Sequence, residues 1–398
     1  MTSTRLFRQL FWVFAWVFCS FTVIPFTRVR ASGRRNVPRR GPGLLVGNHV
    51  TFFDPATVGW ASLRRVHGVG TDTILRVPIF GRIVPWLSVI PFSKGLKDRT
   101  AMEEIQRRID QDAVVLIFPE GDRCWTGSMM PVGHGIGRLA LRLGVPVLFC
   151  RQTTGHLQWP RWAKWPRLVP IEMEFLPPVT YSTDRSAAEV TADIVDRLRI
   201  DPEQHRAPRW SWGMRLAEGL PEFLWACPSC YARDGLVLAP DSNKNAVCCT
   251  ACNARWTVDL SCRLHPADGS GDFSVDSAHK RIVAHFGALP VADSAHFEAD
   301  GVALEGQVEL VQVTRGVTRS ASMGTGTLRL RADGLVFDGP QGATEIPFID
   351  VKVVVIQLGD QLQAITTDAK YGIKPVGQSR FLWKHFLDRH LAAFREAA

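Results

Sequence analysis

Charged residues are absent from positions 10–26, LFWVFAWVFCSFTVIPF, and polar ones are few. Seventeen helical residues reach about 25 Å, slightly short of a hydrocarbon core of about 30 Å. The run is rich in aromatics, including Phe11, Trp12, Phe14, Trp16, Phe18, Phe21 and Phe26, and such rings favour the headgroup boundary. The pattern predicts a short transmembrane, re-entrant or interfacial helix. Pro55 directly after Asp54 predicts a helix over 55–64 with Asp54 as its N-cap. Ala187–Leu198 repeats with helical period, and Pro202, Pro208 and Pro221 punctuate the stretch after it. Trp210, Trp212 and Trp225 are expected to pack this linker onto the preceding domain or a membrane. The last third changes period. Val302–Val313, Thr327–Arg331, Leu335–Asp338, Ala343–Ile346, Val351–Gln357 and Leu362–Thr366 read as short strands between Gly, Asp and Pro signals. Ser379–Phe394 then reads as an amphipathic helix, with Phe381, Leu382, Phe386, Leu387, Leu391 and Phe394 toward a core.

The expected architecture has five parts. Residues 1–40 form a membrane-associating segment with a basic arm, and 41–205 an α/β domain. Residues 206–225 are a linker, 226–262 a small cysteine-rich module, and 263–398 a β-rich domain closed by a helix, whose element order resembles the pleckstrin-homology superfold. A chain of 398 residues is long enough for two or more domains. The net charge of +9 is unevenly placed. The first 53 residues hold no Asp or Glu and eight arginines, six of them after the apolar run, from Arg28 to Arg40. A basic arm suits nucleic acid or an anionic membrane surface, and the adjoining apolar run selects the membrane. A cleaved signal peptide is the competing reading, but no small-x-small site comes after the run. The arginines argue for retention on the cytoplasmic side. A second interfacial candidate is Trp159–Arg167, where Trp and basic residues each recur every third position. A tryptophan cluster packed over the core is the alternative.

Two short motifs carry candidate chemistry: Asn48-His49-Val50-Thr51-Phe52-Phe53-Asp54, and Phe118-Pro119-Glu120-Gly121-Asp122-Arg123. A carboxylate five residues from a histidine can hold the imidazole in one tautomer and stabilise the imidazolium formed when a proton is taken. Five residues turn about 140° around a helix, so the two side chains cannot share a helical face. His49 is therefore expected in the loop before the helix. The bland reading, a plain helix cap at Asp54, is compatible with this.

At these residues the sequence resembles the glycerolipid acyltransferases, the lysophosphatidic acid acyltransferases and their relatives. Weaker blocks fall in order: Pro78-Ile79-Phe80-Gly81 with Ile90-Pro91-Phe92-Ser93-Lys94 between the two motifs, then Gly135–Ala140 with Gly144-Val145-Pro146-Val147 after them. The resemblance covers about residues 40–180. It implies His49 as the base that deprotonates an acceptor hydroxyl and Asp54 as its orienter. It also implies Glu120, Gly121, Arg123 and Lys94 as acceptor-binding residues, with Arg123 on a phosphate. The donor would be acyl-CoA or acyl carrier protein, with no organic cofactor. Four positions depart from the family pattern: Ser93 and Lys94 where acidic and arginine residues are common, Asp122 for threonine, and Phe149 for a second proline. A carboxylate at position 122 would repel a phosphomonoester unless paired with Arg123 or Lys94.

Cys227-Pro228-Ser229-Cys230 and Cys249-Thr250-Ala251-Cys252 are two Cys-x2-Cys pairs separated by eighteen residues. Each such turn presents two thiolates, so the spacing predicts a structural zinc ribbon ligated by Cys227, Cys230, Cys249 and Cys252. Tyr231–Val247 would be its hairpin, turning at Asp241–Asn245, with Trp256 and Val258 as a small core. Disulfides are the alternative, disfavoured by nine cysteines and a cytoplasmic side. Four thiolates leave no open coordination position, so this zinc would not be catalytic. The leading expectation is a membrane-associated acyltransferase with membrane lipids as partners and a protein partner left open. The alternatives are a zinc-ribbon interaction module and a catalytically silent lipid-binding protein. Only Arg233 and Lys244 are basic within Cys227–Cys252, which makes nucleic acid an unlikely partner.

Overall fold

In the computed structural model, residues 2–71, 89–92, 99–289, 302–314, 321–357 and 361–397 are described. The chain divides into two compact units: residues 1–216 with 258–264 and 274–276, and residues 217–257 with 265–273 and 277–398.

The first unit is built on seven strands: β1 (Arg30–Ser32), β2 (Gly43–Gly47), β3 (Val66–Thr71), β4 (Ile90–Phe92), β5 (Val114–Ile117), β6 (Val147–Gln152) and β7 (Glu172–Val179). Their order is β1-β7-β6-β2-β5-β3-β4. β2 is fully buried and pairs in parallel with both β5 and β6. Its residues Gly43-Leu44-Leu45-Val46-Gly47 form the unbroken apolar run expected of a strand covered on both faces. Leu44 and Val46 enter one core beneath the helices Arg99–Ile109, Gly135–Leu143 and Ala187–Leu198. Leu45 enters the opposite core, with Val58 and Ala61 of the helix Asp54–Ala61. Parallel pairing sets the C-terminal ends of β5, β2 and β6 side by side, the place where open α/β sheets hold ligands.

Local chemistry fixes the helices. Ser186 and Glu189 form a reciprocal capping box at the start of Ala187–Leu198. Gly137 lies where that helix crosses Gly135–Leu143. A Cβ there would come within 2.1 Å of the Ala187 carbonyl oxygen, so only glycine permits this approach. The helix after Asp54 ends at Ala61, before the expected residue 64. Leu63 takes φ +53° and turns the chain toward β3.

The apolar N-terminus forms helices Thr2–Phe21 and Val23–Thr27. By length and composition, Leu10–Thr27 is the one candidate membrane span among the described residues. Leu10, Val13, Phe14, Val17, Phe18 and Phe21 are all exposed and recur at helical spacing as one stripe. The other face is held by Trp16, stacked on Trp60 at 6.0 Å, while the Trp60 indole donates to the Ser20 hydroxyl at 2.8 Å.

In the second unit, Leu236–Leu238 and Ala246–Cys249 form an antiparallel hairpin, with Leu238 opposite Val247. Arg255 onward pairs beside it, and Trp256 is buried. Farther on, Val302–Thr314, Ala321–Arg331, Gly334–Gly339 and Gly342–Pro347 make one antiparallel meander. Val351–Gln357, Gln361–Thr366 and Ala369–Pro375 make a second. The two join where Val308 faces Pro375. Arg380–Ala397 closes this region and buries Leu382, Trp383, Phe386, Leu387 and Leu391. Among the elements beyond those the sequence pattern predicts are the strand Ala369–Pro375, in which Gly372 interrupts the β pattern, and the helix Val275–Ala288. Trp225 is packed inside the second unit, buried against Phe286, His385 and Phe386.

Candidate active site

Loops from the ends of β2, β5 and β6 converge. The β2 loop carries His49, whose Nδ1 lies 2.7 Å from Asp54 Oδ2. Asp54 is completely buried, and the same oxygen accepts the N–H groups of Val50 at 2.7 Å and Thr51 at 3.0 Å. Asp54 is the first residue of its helix, and the N-cap position, Phe53, makes no side-chain cap. The expected N-cap role is thus corrected. The carboxylate points back into the loop and binds the two N–H groups there, so it orients the histidine rather than closing the helix end. Backbone amides and the imidazole compensate the burial of Oδ2, while Oδ1 is buried without a hydrogen-bond partner among the described residues. One His49 face stacks on Phe118 at 4.4 Å, and its side chain keeps 19% exposure. A neutral imidazole donating from Nδ1 to Asp54 leaves Nε2 free to accept a proton.

Glu120 lies on the β5 loop. One carboxylate oxygen accepts the His49 N–H at 2.7 Å, and the other accepts the Met130 N–H at 2.7 Å. The side chain ties the base-bearing loop to the chain around Met130. Burial pushes its carboxyl up to about 8, the two N–H donors oppose this, and the nearby Asp54 and Asp122 add to the rise. The Cys124 N–H bonds the His49 carbonyl at 2.8 Å, adding a second tie. Gly121 takes φ +67° with open space where a Cβ would be, a turn that favours glycine.

Asp122 accepts the Arg123 N–H at 2.9 Å and meets a cation from another loop. Arg161, on the loop after β6, forks onto it, with Nη1 to Oδ1 at 3.0 Å and Nη2 to Oδ2 at 3.1 Å. Arg161 also donates to the Arg123 carbonyl at 2.8 Å and lies over the Trp125 ring at 3.9 Å. The guanidinium is almost completely buried. The reading of Trp159–Arg167 as a stripe of headgroup contacts is therefore corrected: Arg161, Trp162 and Arg167 face inward, and Lys164 and Trp165 are exposed. Arg123 extends toward the half-exposed Phe52, 5.9 Å from its ring. Lys94, Ser93 and the block at 78–81 lie outside the described residues.

His156 sits behind the site, fully buried, with burial pushing it down to about 3. A Cβ at Gly127 would strike its ring. It is neutral and enclosed, a packing group rather than a rival base.

In the second unit, the Sγ atoms of Cys227, Cys230, Cys249 and Cys252 all lie within 4.8 Å of one another. Cys227 and Cys252 are 3.8 Å apart, and Cys230 and Cys249 are 3.7 Å apart. A tetrahedron with arms of about 2.3 Å has edges of about 3.8 Å, so the four thiols fit a tetrahedral metal. Cys262 stands apart from them in the first unit, where it is buried and receives the Arg167 guanidinium at 3.0 Å.

Comparison with known proteins agrees with this picture over part of the chain. Residues 28–151 match the family model described as Acyltransferase. The chain is 27% identical to 1-acyl-sn-glycerol-3-phosphate acyltransferase of Limnanthes douglasii, over 43% of this chain and 60% of that protein. It is 28% identical to the Haemophilus influenzae enzyme of the same name, over 30% of this chain and 52% of that protein. Human lysophospholipid acyltransferase LPCAT4 is 32% identical over 32% of this chain and 24% of its own length. The crystal structure of the acyltransferase PlsC from Thermotoga maritima aligns with 50% of this chain and 83% of its own, at 16% identity and a TM-score of 0.40. The chain thus spans between half and three-fifths of the first two relatives. The segment 28–151, which supplies the His49–Asp54 pair and the Glu120 clamp, matches the Acyltransferase family in sequence.

Proposed function

We propose that this protein transfers a fatty acyl group from acyl-CoA or acyl carrier protein to the hydroxyl of lysophosphatidic acid or a related lysolipid. The observation that carries the proposal is the His49–Asp54 contact, with Asp54 buried and fixed by two backbone amides. His49 Nε2 removes the acceptor's hydroxyl proton as its oxygen attacks the thioester carbonyl. Asp54 stabilises the imidazolium through Nδ1. The tetrahedral intermediate collapses, the C–S bond breaks, and the leaving thiolate takes the proton from Nε2. The substrate brings the nucleophile, so no acyl-enzyme forms.

Arg123 is assigned to the acceptor's phosphate, with Lys94 beside it in the same role. Gly121 lets the acceptor approach the backbone closely. Glu120 acts on the acceptor indirectly, by holding the His49 loop against the loop at Met130. The rings of Phe26, Phe53, Trp159 and Phe52 run in contact, each 5.7–6.2 Å from the next. They offer an apolar lane from the N-terminal helices to the base, suited to an acyl chain. The helices at 2–27 attach the enzyme to a membrane, and the arginines after them favour a catalytic domain on the cytoplasmic face. The four cysteines hold a structural zinc, and the two meanders with their closing helix form a pleckstrin-homology-like module for a lipid or protein partner.

The test is a panel of acyl-CoA and acyl carrier protein donors against lysolipid acceptors, with products identified by mass spectrometry. His49→Ala should abolish transfer while one zinc per chain is retained. Full activity in that variant would remove His49 as the base. Stripping the metal with a chelator should loosen the cysteine hairpin and leave the His49–Asp54 pair in place.

A further inference from the structure

Outside the site, one surface of the first unit joins exposed tryptophans to arginines. In the segment 205–216, HRAPRWSWGMRL, Trp210, Trp212 and Met214 are each about half exposed, whereas Ser211, Gly213 and Arg215 are more covered. Trp212 pairs with Leu168 as an isolated antiparallel bridge. Trp212 and Met214 lie two apart on the exposed side, and Trp210 precedes them in a turn closed by the Ser211 N–H on the Pro208 carbonyl. Gly213 marks the inner face, since a Cβ there would meet Leu260, Leu216 and Arg167 at 2.8–3.2 Å.

The segment is firmly held. The buried Arg167 donates to the Leu216 carbonyl at 3.0 Å, and the Leu168 N–H bonds the Trp212 carbonyl at 2.7 Å. The exposed rings therefore stand on a fixed frame and do not result from fraying. Arginines complete the surface. Arg28 and Arg30, just after the N-terminal helices, lie over the Trp210 ring at 4.9 and 5.4 Å. Arg215 lies over the half-exposed Trp165 ring at 5.3 Å. No acidic residue occurs in 151–171 or 205–216, and Glu172, 3.8 Å from Arg30, borders the surface. Tryptophan amphipathicity beside a surplus of arginines is the chemistry of an anionic headgroup layer.

We propose that Trp165, Trp210, Trp212 and Met214, with Arg28 and Arg215, form a second membrane-seating surface that rests on anionic lipid. It lies where the apolar N-terminal helices end, so the two attachments act together. The linked geometry would hold the catalytic unit against the bilayer rather than on a loose tether. Two weak contacts joined rigidly bind far more strongly than either alone. This inference rests on the membrane attachment proposed above.

The test uses the full chain on vesicles containing brominated phosphatidylglycerol, with tryptophan quenching as the readout. Replacing Trp165, Trp210 and Trp212 by Phe should remove a quenched component of the emission, and high salt should diminish that component in the wild type. Replacing Trp12 and Trp16 by Phe separately reports the N-terminal helix. Unchanged quenching in the first variant, with a loss in the second, would overturn the surface and keep the anchor. A loss in the first alone would keep the surface and overturn the anchor.

Discussion

Glu120 offers the sharpest quantitative test, because its burial and its hydrogen bonds pull in opposite directions. Burial holds the carboxyl near 8 instead of its ordinary 4.5. A carboxyl raised in the folded state stabilises most below the unfolded value and loses that contribution as pH rises through the folded one. The loss begins near 4.5 and is complete just above 8. Its full size is about 5 kcal/mol, at about 1.4 kcal/mol for each pH unit. Glu120→Gln removes the titration and keeps the shape. The amide carbonyl can accept one of the two N–H groups now bound, those of His49 and Met130, and its NH2 then faces the other. That mismatch costs about 1–3 kcal/mol at every pH. The variant should therefore be the less stable protein in acid. The gap should close by about 1.4 kcal/mol per pH unit and reverse about one to two units above 4.5. Because two units need not unfold together, the assay is hydrogen exchange of the peptides containing His49 and Met130, compared between wild type and variant across that range. A difference independent of pH would refute the reasoning. It would mean that the two amides keep the carboxylate ionised throughout and outweigh its burial.

Three further outcomes are expected from the geometry. Asp54→Asn removes the charge facing His49 Nδ1 and should lower kcat roughly 10²–10⁴-fold with little change in acceptor KM, measured by steady-state kinetics. Arg161→Met leaves Asp122 without the guanidinium that forks onto it and should raise acceptor KM. Adding Asp122→Thr should restore most of the loss, and a double-mutant cycle without such coupling would remove the pair as a unit. Gly137→Ala forces a methyl against the Ala187 carbonyl and should destabilise the packing of Ala187–Leu198 by about 1–3 kcal/mol, read as faster amide exchange in that helix.

Which features can be read from the chain depends on how far apart their parts lie. The contact of His49 with Asp54 spans five residues, and the loop-then-helix pattern already places them. Even so, the pattern has Asp54 close its helix, whereas its carboxylate serves the loop behind it. A sequence pattern shows that a cap-type residue starts a helix and is silent on which amides it faces. The four cysteines are legible because each Cys-x2-Cys turn is local and only one hairpin has to bring the two together. Arg161 is not legible. It meets Asp122 across 39 residues, and only the parallel pairing of β2 with both β5 and β6 sets their loops side by side. Its period-three neighbourhood points toward solvent, and the deciding fact is instead a carboxylate needing a partner. That need is itself visible: a carboxylate where the family carries threonine requires a compensating cation. Arg123 and Lys94 are the near choices in sequence. The sheet supplies a third from the β6 loop, while the Arg123 guanidinium lies 5.9 Å from the Phe52 ring. A charge that departs from its family's pattern thus marks where to look for an unseen partner, and the strand order says which loop carries it.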